Sequence, residues 1–338
     1  MSETQIWHGG DLDEATRLFP DAPQPWIDLS TGINPIAYPV PPLPPSLFER
    51  LPSPAAHNDL ERAAAEAYRA AGSEMVVAAP GTQVLISLLP SLWPRARVAI
   101  LGPTYAEHAQ AWRKAGHEVA EIGTPGQAGD ADILVVVNPN NPDGRIVGRE
   151  KLLAIAEHLR QRRGWLIVDE AFADFDADET LVPLLPDNAI VLRSFGKTYG
   201  LAGVRLGFSI SNQGFAGRLR AMLGPWAVSG PAIEVGRRAL LDHDWLASTR
   251  QARAADARRL DALLAVFSAS PPRGTILYRL AESSQAPVLF SHLGQRGIWA
   301  RRFAHDPRLL RFGLPGSEAA WLRLEQALTT YAAPQAAG

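Results

Sequence analysis

The sequence predicts an α/β protein with a mostly parallel sheet sandwiched by helices and a smaller α+β domain at the C-terminal end. Short apolar runs alternate with helical patterns through the middle of the chain, which is typical of a parallel sheet covered on both faces. After about Gly224 the alternation ends, and a long helical stretch leads into several short strands. The chain has 338 residues, 46% of them hydrophobic, which is enough core material for two domains.

The strands predicted for the sheet are short runs rich in Val, Ile and Leu, at residues 75–79, 98–101, 133–137, 166–168, 190–192 and 206–210. Helical patterns precede or separate them at residues 59–71, 83–92, 106–115 and 149–162. Asn58 or Asp59 would cap the first of these helices, and Gly72 would end it. The smaller domain has predicted helices at residues 244–267, 287–295 and 317–331, and predicted strands at residues 275–280, 298–299 and 309–312.

Eight prolines between residues 35 and 54 predict an extended, semi-rigid arm. Such an arm is a linker, a ligand for an SH3-type domain, or a segment that crosses a neighbouring surface. We place the domain bounds at residues 1–45 for the N-terminal arm, which includes part of the small domain, 46–230 for the large domain and 231–338 for the small C-terminal domain.

Composition excludes several classes of function. The net charge is −2 and the 33 cationic residues are scattered along the chain, so nucleic acid is not an expected partner. Cysteine is absent, which excludes disulfides, thiol nucleophiles, iron–sulfur clusters and cysteine-ligated zinc. The first 19 residues contain no apolar targeting core, and prolines interrupt the most apolar stretch, residues 75–93. We therefore expect a cytoplasmic protein with no membrane partner.

Only three of the 33 cationic residues are lysines, namely Lys114, Lys151 and Lys197. Codon bias alone would favour arginine, yet any chemistry that needs a primary amine has only these side chains. Lys197 alone follows a predicted buried strand, in a turn whose many glycines let the backbone approach a ligand. The Gly-Lys-Thr sequence around it is not a Walker A phosphate loop, because Val191 stands where that motif needs its first glycine.

Further loops follow predicted strands, which is where ligands of parallel sheets usually bind. Gly81, Thr82 and Gln83 open a helix whose free N–H groups would bind a phosphate, although an ordinary capped turn has the same pattern. Tyr105 follows the strand at 98–101, where it would stack on a flat ligand or simply be a half-buried aromatic residue.

Polar residues also follow the two most apolar strands. The loop 138–144, which contains Asn141, is either a tight turn or a site loop. Asp169 ends the strand at 166–168, where it would serve a site or cap a helix. Asp169, Glu170 and Asp174 offer oxygen ligands, but no histidine pair stands at ligand spacing, so we predict no metal site.

The order of these loops resembles a known family. Gly-Thr-Gln is followed by Pro-Thr-Tyr, Asn-Pro-Asn-Asn-Pro-Asp-Gly, Asp-Glu-Ala-Phe and Ser-Phe-Gly-Lys, with an arginine eight residues beyond the lysine. From about Asp28 to Glu318 the pattern resembles the fold-type I pyridoxal-phosphate enzymes, in particular the class I/II aminotransferase superfamily and its histidinol-phosphate aminotransferase branch. The resemblance implies an aspartate-aminotransferase-like large domain, pyridoxal 5′-phosphate as cofactor, and a homodimer with sites at the subunit interface.

The resemblance also implies catalytic roles for three residues. Lys197 would form a Schiff base with the cofactor aldehyde, Asp169 would keep the ring nitrogen protonated, and Tyr105 would stack on the ring. Asn141 would bind the ring hydroxyl. The other residues implied to bind the cofactor, mainly at its phosphate, are Gly81, Thr82, Gln83, Ser194 and Arg205.

Two positions depart from the family's usual sequence. Phe172 stands where many aminotransferases have a tyrosine that donates a hydrogen bond to the ring oxygen. Leu51 stands where the family often has a tyrosine that reaches the cofactor phosphate of the partner subunit. These departures weaken the assignment as a plain transaminase without affecting the cofactor.

The N-terminal region is similar to one subgroup of the family. Trp-His-Gly-Gly from residue 7 and Asp-Leu-Ser-Thr-Gly-Ile-Asn-Pro from residue 28 resemble the threonine-phosphate decarboxylases of cobalamin biosynthesis. These enzymes convert O-phospho-L-threonine to (R)-1-amino-2-propanol O-2-phosphate and CO2, which implies a phosphorylated amino acid as substrate. The residues implied to bind it are His8, Gly9, Asn34, Asn141, Arg311, whose planar fork suits a carboxylate, and either Arg301 or Arg302.

Three functions are compatible with these residues: the decarboxylase, a histidinol-phosphate-type aminotransferase, and a non-catalytic relative that binds the cofactor for regulation or assembly. Both enzymes would use Lys197 and Asp169, so the residues do not choose between them. The bond that breaks is the one held perpendicular to the cofactor ring, and this depends on how the substrate lies. An intact Lys197, and the absence of a visible DNA-binding segment, argue against the non-catalytic relative. We predict the decarboxylase.

Overall fold

A computed structural model describes residues 9–176 and 178–332, which form two compact units. The large unit is Ala37–Ala247, and the small unit combines the described residues up to Ile36 with those from Ser248 onwards. The large unit thus extends beyond the range 46–230 expected from the sequence, because aromatic contacts hold both of its ends. The ring of Tyr38 packs edge-on against Tyr199 and Trp245, and Trp245 stacks on Tyr199.

The helices of the described residues are α1 (Leu12–Leu18), α2 (Ser46–Glu49), α3 (Pro54–Tyr68), α4 (Thr82–Leu88), α5 (Ala106–Lys114), α6 (Arg149–Arg160), α7 (Phe195–Thr198), α8 (Gln213–Leu223), α9 (Gly230–Leu240), α10 (His243–Leu264), α11 (Ala286–Gly294) and α12 (Glu318–Ala332). The strands are β1 (Ile27–Asp28), β2 (Val76–Ala79), β3 (Arg97–Leu101), β4 (Glu118–Ile122), β5 (Ile133–Val137), β6 (Trp165–Asp169), β7 (Ala189–Ser194), β8 (Gly207–Ser211), β9 (Arg273–Thr275), β10 (Tyr278–Glu282), β11 (Ile298–Trp299), β12 (Arg301–Arg302) and β13 (Leu309–Gly313).

The large unit is built on a seven-stranded sheet in the order β2-β8-β7-β6-β5-β3-β4. Neighbouring strands from β7 to β4 are parallel, whereas β8 runs antiparallel to both β7 and β2. The prediction of a mostly parallel sheet is therefore confirmed. Within this sheet, β8 alone runs in the opposite direction. It lies between β2 and β7, and the loops after these two strands were predicted to bind a ligand.

Both faces of the sheet are buried, which explains the apolar runs in the sequence. In β5, Leu134 and Val136 face one core while Ile133 and Val135 face the other. Helices α3, α6 and α9 contribute to the first core, and α4, α5 and α8 contribute to the second. A strand between two such layers has no solvent-facing side, so its sequence cannot alternate with polar residues.

The first helix of the large unit begins earlier than the sequence suggested. Helix α3 starts at Pro54, because the hydroxyl of Ser53 accepts a hydrogen bond from the N–H of Ala56 at 3.1 Å and caps the helix. It ends at Tyr68, before Arg69 takes up the left-handed conformation at φ 59°. The expected cap at Asn58 or Asp59 and the expected end at Gly72 are therefore wrong.

The small unit is an α+β arrangement with a core of its own. A four-stranded sheet has the order β12-β13-β10-β9, and β1 pairs in parallel with β11. The single strand expected at 275–280 is two antiparallel strands, because the chain reverses between Thr275 and Tyr278, which lie opposite each other in the sheet. Among the described residues, no helix combines the length and the apolar character that crossing a bilayer requires.

We predict that Ser53→Ala lowers the free energy of unfolding by about 1 kcal/mol, because the N–H of Ala56 loses its capping oxygen. Ser53→Asp keeps a capping oxygen and should unfold at close to the wild-type urea concentration. Urea unfolding followed by circular dichroism measures both variants. An equal loss in the two would show that the cap does not stabilise α3.

Candidate functional site

The carboxyl ends of the parallel strands bring the predicted loops to one edge of the sheet. The register places Asp169, at the end of β6, opposite Val137 of β5 on one side and Leu192 of β7 on the other. The loop with Asn141 therefore begins beside Asp169, and the turn with Lys197 begins on its other side. The backbone confirms this proximity, since the N–H of Asn138 donates to the Asp169 carbonyl oxygen at 2.8 Å.

The antiparallel strand β8 completes a cluster that we call the glycine cradle, comprising Gly81, Thr82, Ser194, Arg205 and Gly207. Gly207, the first residue of β8, lies opposite both Ala79 of β2 and Ser194 of β7. The loop after β2 thus approaches the entry to β8. A Cβ atom on Gly207 would lie 2.6 Å from the amide nitrogen of Thr82.

Gly81 and Arg205 meet closely inside the glycine cradle. Gly81 has a φ of +89°, and a Cβ atom there would lie 2.7 Å from Nη2 of Arg205. Only glycine avoids both the left-handed strain and this contact. The cradle thus brings one guanidinium group near the start of α4, where the hydroxyl of Thr82 donates to the carbonyl oxygen of Arg193 at 3.3 Å. A guanidinium group beside a helix start suits an anion such as a phosphate.

Asp169 is buried, and each of its carboxylate oxygens is hydrogen-bonded. Oδ1 accepts from the N–H of Ala171 at 3.0 Å, and Oδ2 lies 2.8 Å from Nε2 of His108. A carboxylate only accepts, so His108 donates from Nε2. His108 was not singled out in the sequence. Its local signal is its position three residues after Tyr105, which directly precedes α5, and the two rings pack edge-on with centroids 6.2 Å apart.

Tyr105 is oriented by a second side chain from the predicted set. Its hydroxyl donates to Oε1 of Gln83 at 3.1 Å, and Nε2 of Gln83 donates to Glu107 at 3.1 Å. The carboxylate of Glu107 accepts only, which fixes the amide of Gln83 with its oxygen toward Tyr105. Gln83 therefore acts on the ring of Tyr105 through its side chain.

The loop with Asn141 is fixed by its neighbour Asn140, whose side chain is fully buried. The amide of Asn140 donates to the carbonyl oxygen of Pro103 at 3.0 Å and accepts from the hydroxyl of Thr104 at 2.6 Å. These bonds join the loop after β5 to the loop that precedes Tyr105. Asn141 itself is partly buried.

Lys197 lies on the short helix α7, directly after β7. Its Nζ is 5.7 Å from the centre of the Phe172 ring, within the range of a cation–π contact. Phe172 is buried, so the residue that departs from the family sequence lies beside the lysine. Tyr199 stacks on Phe195 at 4.4 Å, which anchors the two ends of this turn.

Behind these loops lies a buried ion cluster of Arg193, Glu170 and Asp174. Nη1 of Arg193 donates to Glu170 at 2.7 Å, and Nη2 lies 2.8 Å from Asp174. Burial raises the pKa of both carboxyl groups, an effect that Arg193 opposes. Burial also disfavours the charged guanidinium, but the two carboxylates raise the pKa of Arg193 above its ordinary value. The sequence did not indicate this cluster.

In the small unit, Gly9 and Arg311 meet around Ser30. Gly9 packs against the carbonyl group of Ser30, and the N–H of Gly10 donates to the Ser30 hydroxyl at 2.7 Å. Nη2 of Arg311 donates to the carbonyl oxygen of Ser30 at 2.7 Å. The predicted substrate residue His8 lies outside the described residues.

The register of the small sheet distinguishes Arg301 from Arg302. Arg301 lies directly opposite Arg311 on the neighbouring strand, so their side chains share one face of the sheet. Arg302 points to the other face, where it pairs with Glu14 at 3.0 Å and lies over the ring of Phe290. We call Arg301 and Arg311 the arginine pair.

Residues 46–329 match the family described as "Aminotransferase class I and II". A threonine-phosphate decarboxylase of Pseudomonas aeruginosa is 41% identical over 331 residues, which cover 97% of this chain and 98% of that protein. A histidinol-phosphate aminotransferase of Aeromonas salmonicida is 27% identical, covering 72% of this chain and 74% of that protein. The structure of a histidinol-phosphate aminotransferase from Sinorhizobium meliloti, in complex with pyridoxal-5′-phosphate, shares the fold with a TM-score of 0.79 at 20% identity, over 96% of this chain and 94% of that one.

We predict that Gly207→Ala lowers the free energy of unfolding by about 1–3 kcal/mol, because the new methyl group would overlap the amide of Thr82. Gly203→Ala is the matched control, since a Cβ atom there meets nothing within 4 Å. Denaturant unfolding compares the two variants. Equal stability would mean that the cradle relaxes without cost.

Proposed function

Because the chain belongs to the class I and II aminotransferase family, we propose that it is a pyridoxal-phosphate-dependent decarboxylase of O-phospho-L-threonine. The reaction releases CO2 and leaves (R)-1-amino-2-propanol O-2-phosphate. The observation that favours this reaction is the likeness to threonine-phosphate decarboxylases over nearly the whole chain, which includes the N-terminal region. The likeness to histidinol-phosphate aminotransferases is weaker and covers less of the chain.

The residues of the large unit fit the cofactor. In the glycine cradle, the missing side chains of Gly81 and Gly207 let Arg205 and Thr82 lie close together, and we assign Arg205, Thr82 and Ser194 to the cofactor phosphate. When bound, pyridoxal phosphate supplies an electron-accepting ring that stabilises the charge left at Cα of the substrate as CO2 departs.

Each remaining residue of the large unit has a distinct task in this proposal. Asp169, held by His108, keeps the ring nitrogen protonated. Tyr105, oriented by Gln83, covers one face of the ring. Asn141 binds the ring oxygen, because Phe172 has no hydroxyl for it. The amine of Lys197 binds the cofactor and delivers the proton to Cα after CO2 has left.

The arginine pair supports a substrate with more than one anionic group. Arg301 and Arg311 lie directly opposite each other on neighbouring strands, so one face of the sheet has two guanidinium groups that suit anions. O-Phospho-L-threonine has a carboxylate for Arg311 and a phosphate for Arg301. The resemblance also assigns His8, Gly9 and Asn34 to the substrate near its phosphate, and Asn141 to substrate binding.

The proposal includes a setting for the enzyme. We place it in the cytoplasm, in cobalamin biosynthesis, as a homodimer. Support for the dimer comes from the proline arm, where Phe48 and Leu51 have 67% and 69% of their surface exposed. Large apolar side chains at such exposure suit burial against a second copy of the chain.

Incubation of the holoenzyme with O-phospho-L-threonine and no keto acid tests the reaction. We expect equal amounts of CO2 and of the phosphorylated amine, measured by gas capture and by mass spectrometry. The parallel assay contains histidinol phosphate and 2-oxoglutarate. Amino transfer in that assay, with no CO2 in the first, would replace the decarboxylase with the aminotransferase.

Lys197→Ala tests the role of the amine. The variant should lose the visible absorption band of the lysine-linked cofactor, and decarboxylation should slow by about 10²–10⁴-fold or more because the proton donor is lost. Lys151→Ala, which changes an exposed lysine of α6, should keep both the band and the rate. A band that survives in Lys197→Ala would rule out the assignment of this residue.

A further inference from the structure

Arg253 on α10 is an arginine of the small unit that is nine-tenths buried, which is rare for this residue type. Its terminal nitrogens have different partners. Nη1 donates to Oδ1 of Asn34 at 3.2 Å, and Nη2 lies 2.8 Å from Oδ2 of Asp256. Burying a guanidinium group costs free energy, so its partners should indicate why it is kept.

The contact with Arg253 fixes the orientation of the Asn34 amide. Oδ1 of Asn34 also accepts a hydrogen bond from the N–H of Ile36 at 3.1 Å. Both partners are donors only, so the atom they share must be the oxygen, and the opposite orientation of the amide is excluded. The nitrogen of Asn34 therefore lies on the branch of the amide that faces away from Arg253 and Ile36.

We propose that Arg253 is a positioning residue that holds Asn34 with its amide N–H groups toward the substrate phosphate. The inference rests on the proposed function, in which Asn34 contributes to the site for O-phospho-L-threonine. A phosphate accepts hydrogen bonds from donors and is repelled by a carbonyl oxygen. Loss of Arg253 removes one of the donors that hold the amide oxygen in place, and the rotated form presents its oxygen to the phosphate.

Asp256 explains why Arg253 acts through Asn34 rather than as a further anion-binding charge. Its carboxylate lies against Nη2 and offsets the charge of the guanidinium group. The fork of Arg253 thus spans a carboxylate and an amide oxygen at once, which one lysine ammonium group cannot reproduce in the same geometry.

Steady-state kinetics of the holoenzyme with O-phospho-L-threonine test this role. Arg253→Met should raise KM about tenfold, as expected for one lost hydrogen bond to a charged group, and leave kcat within about twofold. The inhibition constant of inorganic phosphate should rise by a similar factor. Arg253→Lys keeps one donor and should show a smaller rise in KM. Arg250→Met, an exposed residue one turn earlier on α10, is the matched control and should match the wild type.

A double-variant cycle separates positioning from general packing. If Arg253 acts through Asn34, then Arg253→Met should add little to the KM of Asn34→Ala. Fully additive effects, or an unchanged KM in Arg253→Met, would refute the inference while leaving the proposed function intact. A wild-type enzyme that releases no CO2 from the substrate would instead refute the proposed function. If Arg253→Met does not fold, Arg253→Lys replaces it in the cycle.

Discussion

The ion pairs of buried Arg193 are the interaction on which the site of the large unit depends. Arg193 precedes Lys197 by four residues, and its partner Glu170 follows Asp169 directly. One cation therefore joins the end of β6 to the end of β7, where the two proposed catalytic residues lie. Removal of Arg193 would leave the carboxylates of Glu170 and Asp174 buried without a cation, at a cost of about 3–5 kcal/mol. The ion pair between Arg193 and Glu170 therefore sets the distance between the loop after β6 and the turn after β7, because breaking it would cost free energy.

The reversed direction of β8 supplies the second constraint. In a wholly parallel sheet, the neighbour of β7 would begin at the opposite edge, far from the loops that follow the other strands. Because β8 is antiparallel, it begins at the carboxyl edge, and Arg205 reaches the loop after β2 from there. The approach is close enough to require glycine at positions 81 and 207. Topology and residue size together thus explain why an anion-binding cluster forms here.

The sequence predicted the secondary-structure elements in which every residue has the same degree of burial. Strands buried on both faces were found because they are continuously apolar, whereas the edge strand β4, with its exposed Glu118 and Glu121, was missed. The site loops were found because they follow strands, and their roles came from the resemblance. His108 was not predicted as a site residue because its partner Asp169 is 61 residues away in the sequence. The finding that Arg301, and not Arg302, shares a face of the sheet with Arg311 likewise needed the strand register, which composition does not encode.

The residues of the large unit are common to decarboxylation and transamination, so the difference must come from how the substrate is held. The bond that breaks is the one perpendicular to the cofactor ring, and rotation about one bond of the substrate exchanges hydrogen for carboxylate in that position. In the small unit, the arginine pair offers two cations on one face of the sheet, which suits the two anions of the proposed substrate. An Asn34 amide held in a single orientation adds direction to the phosphate contact. In this proposal the anion contacts of the substrate select the reaction outcome, while the chemistry that the cofactor supplies stays the same.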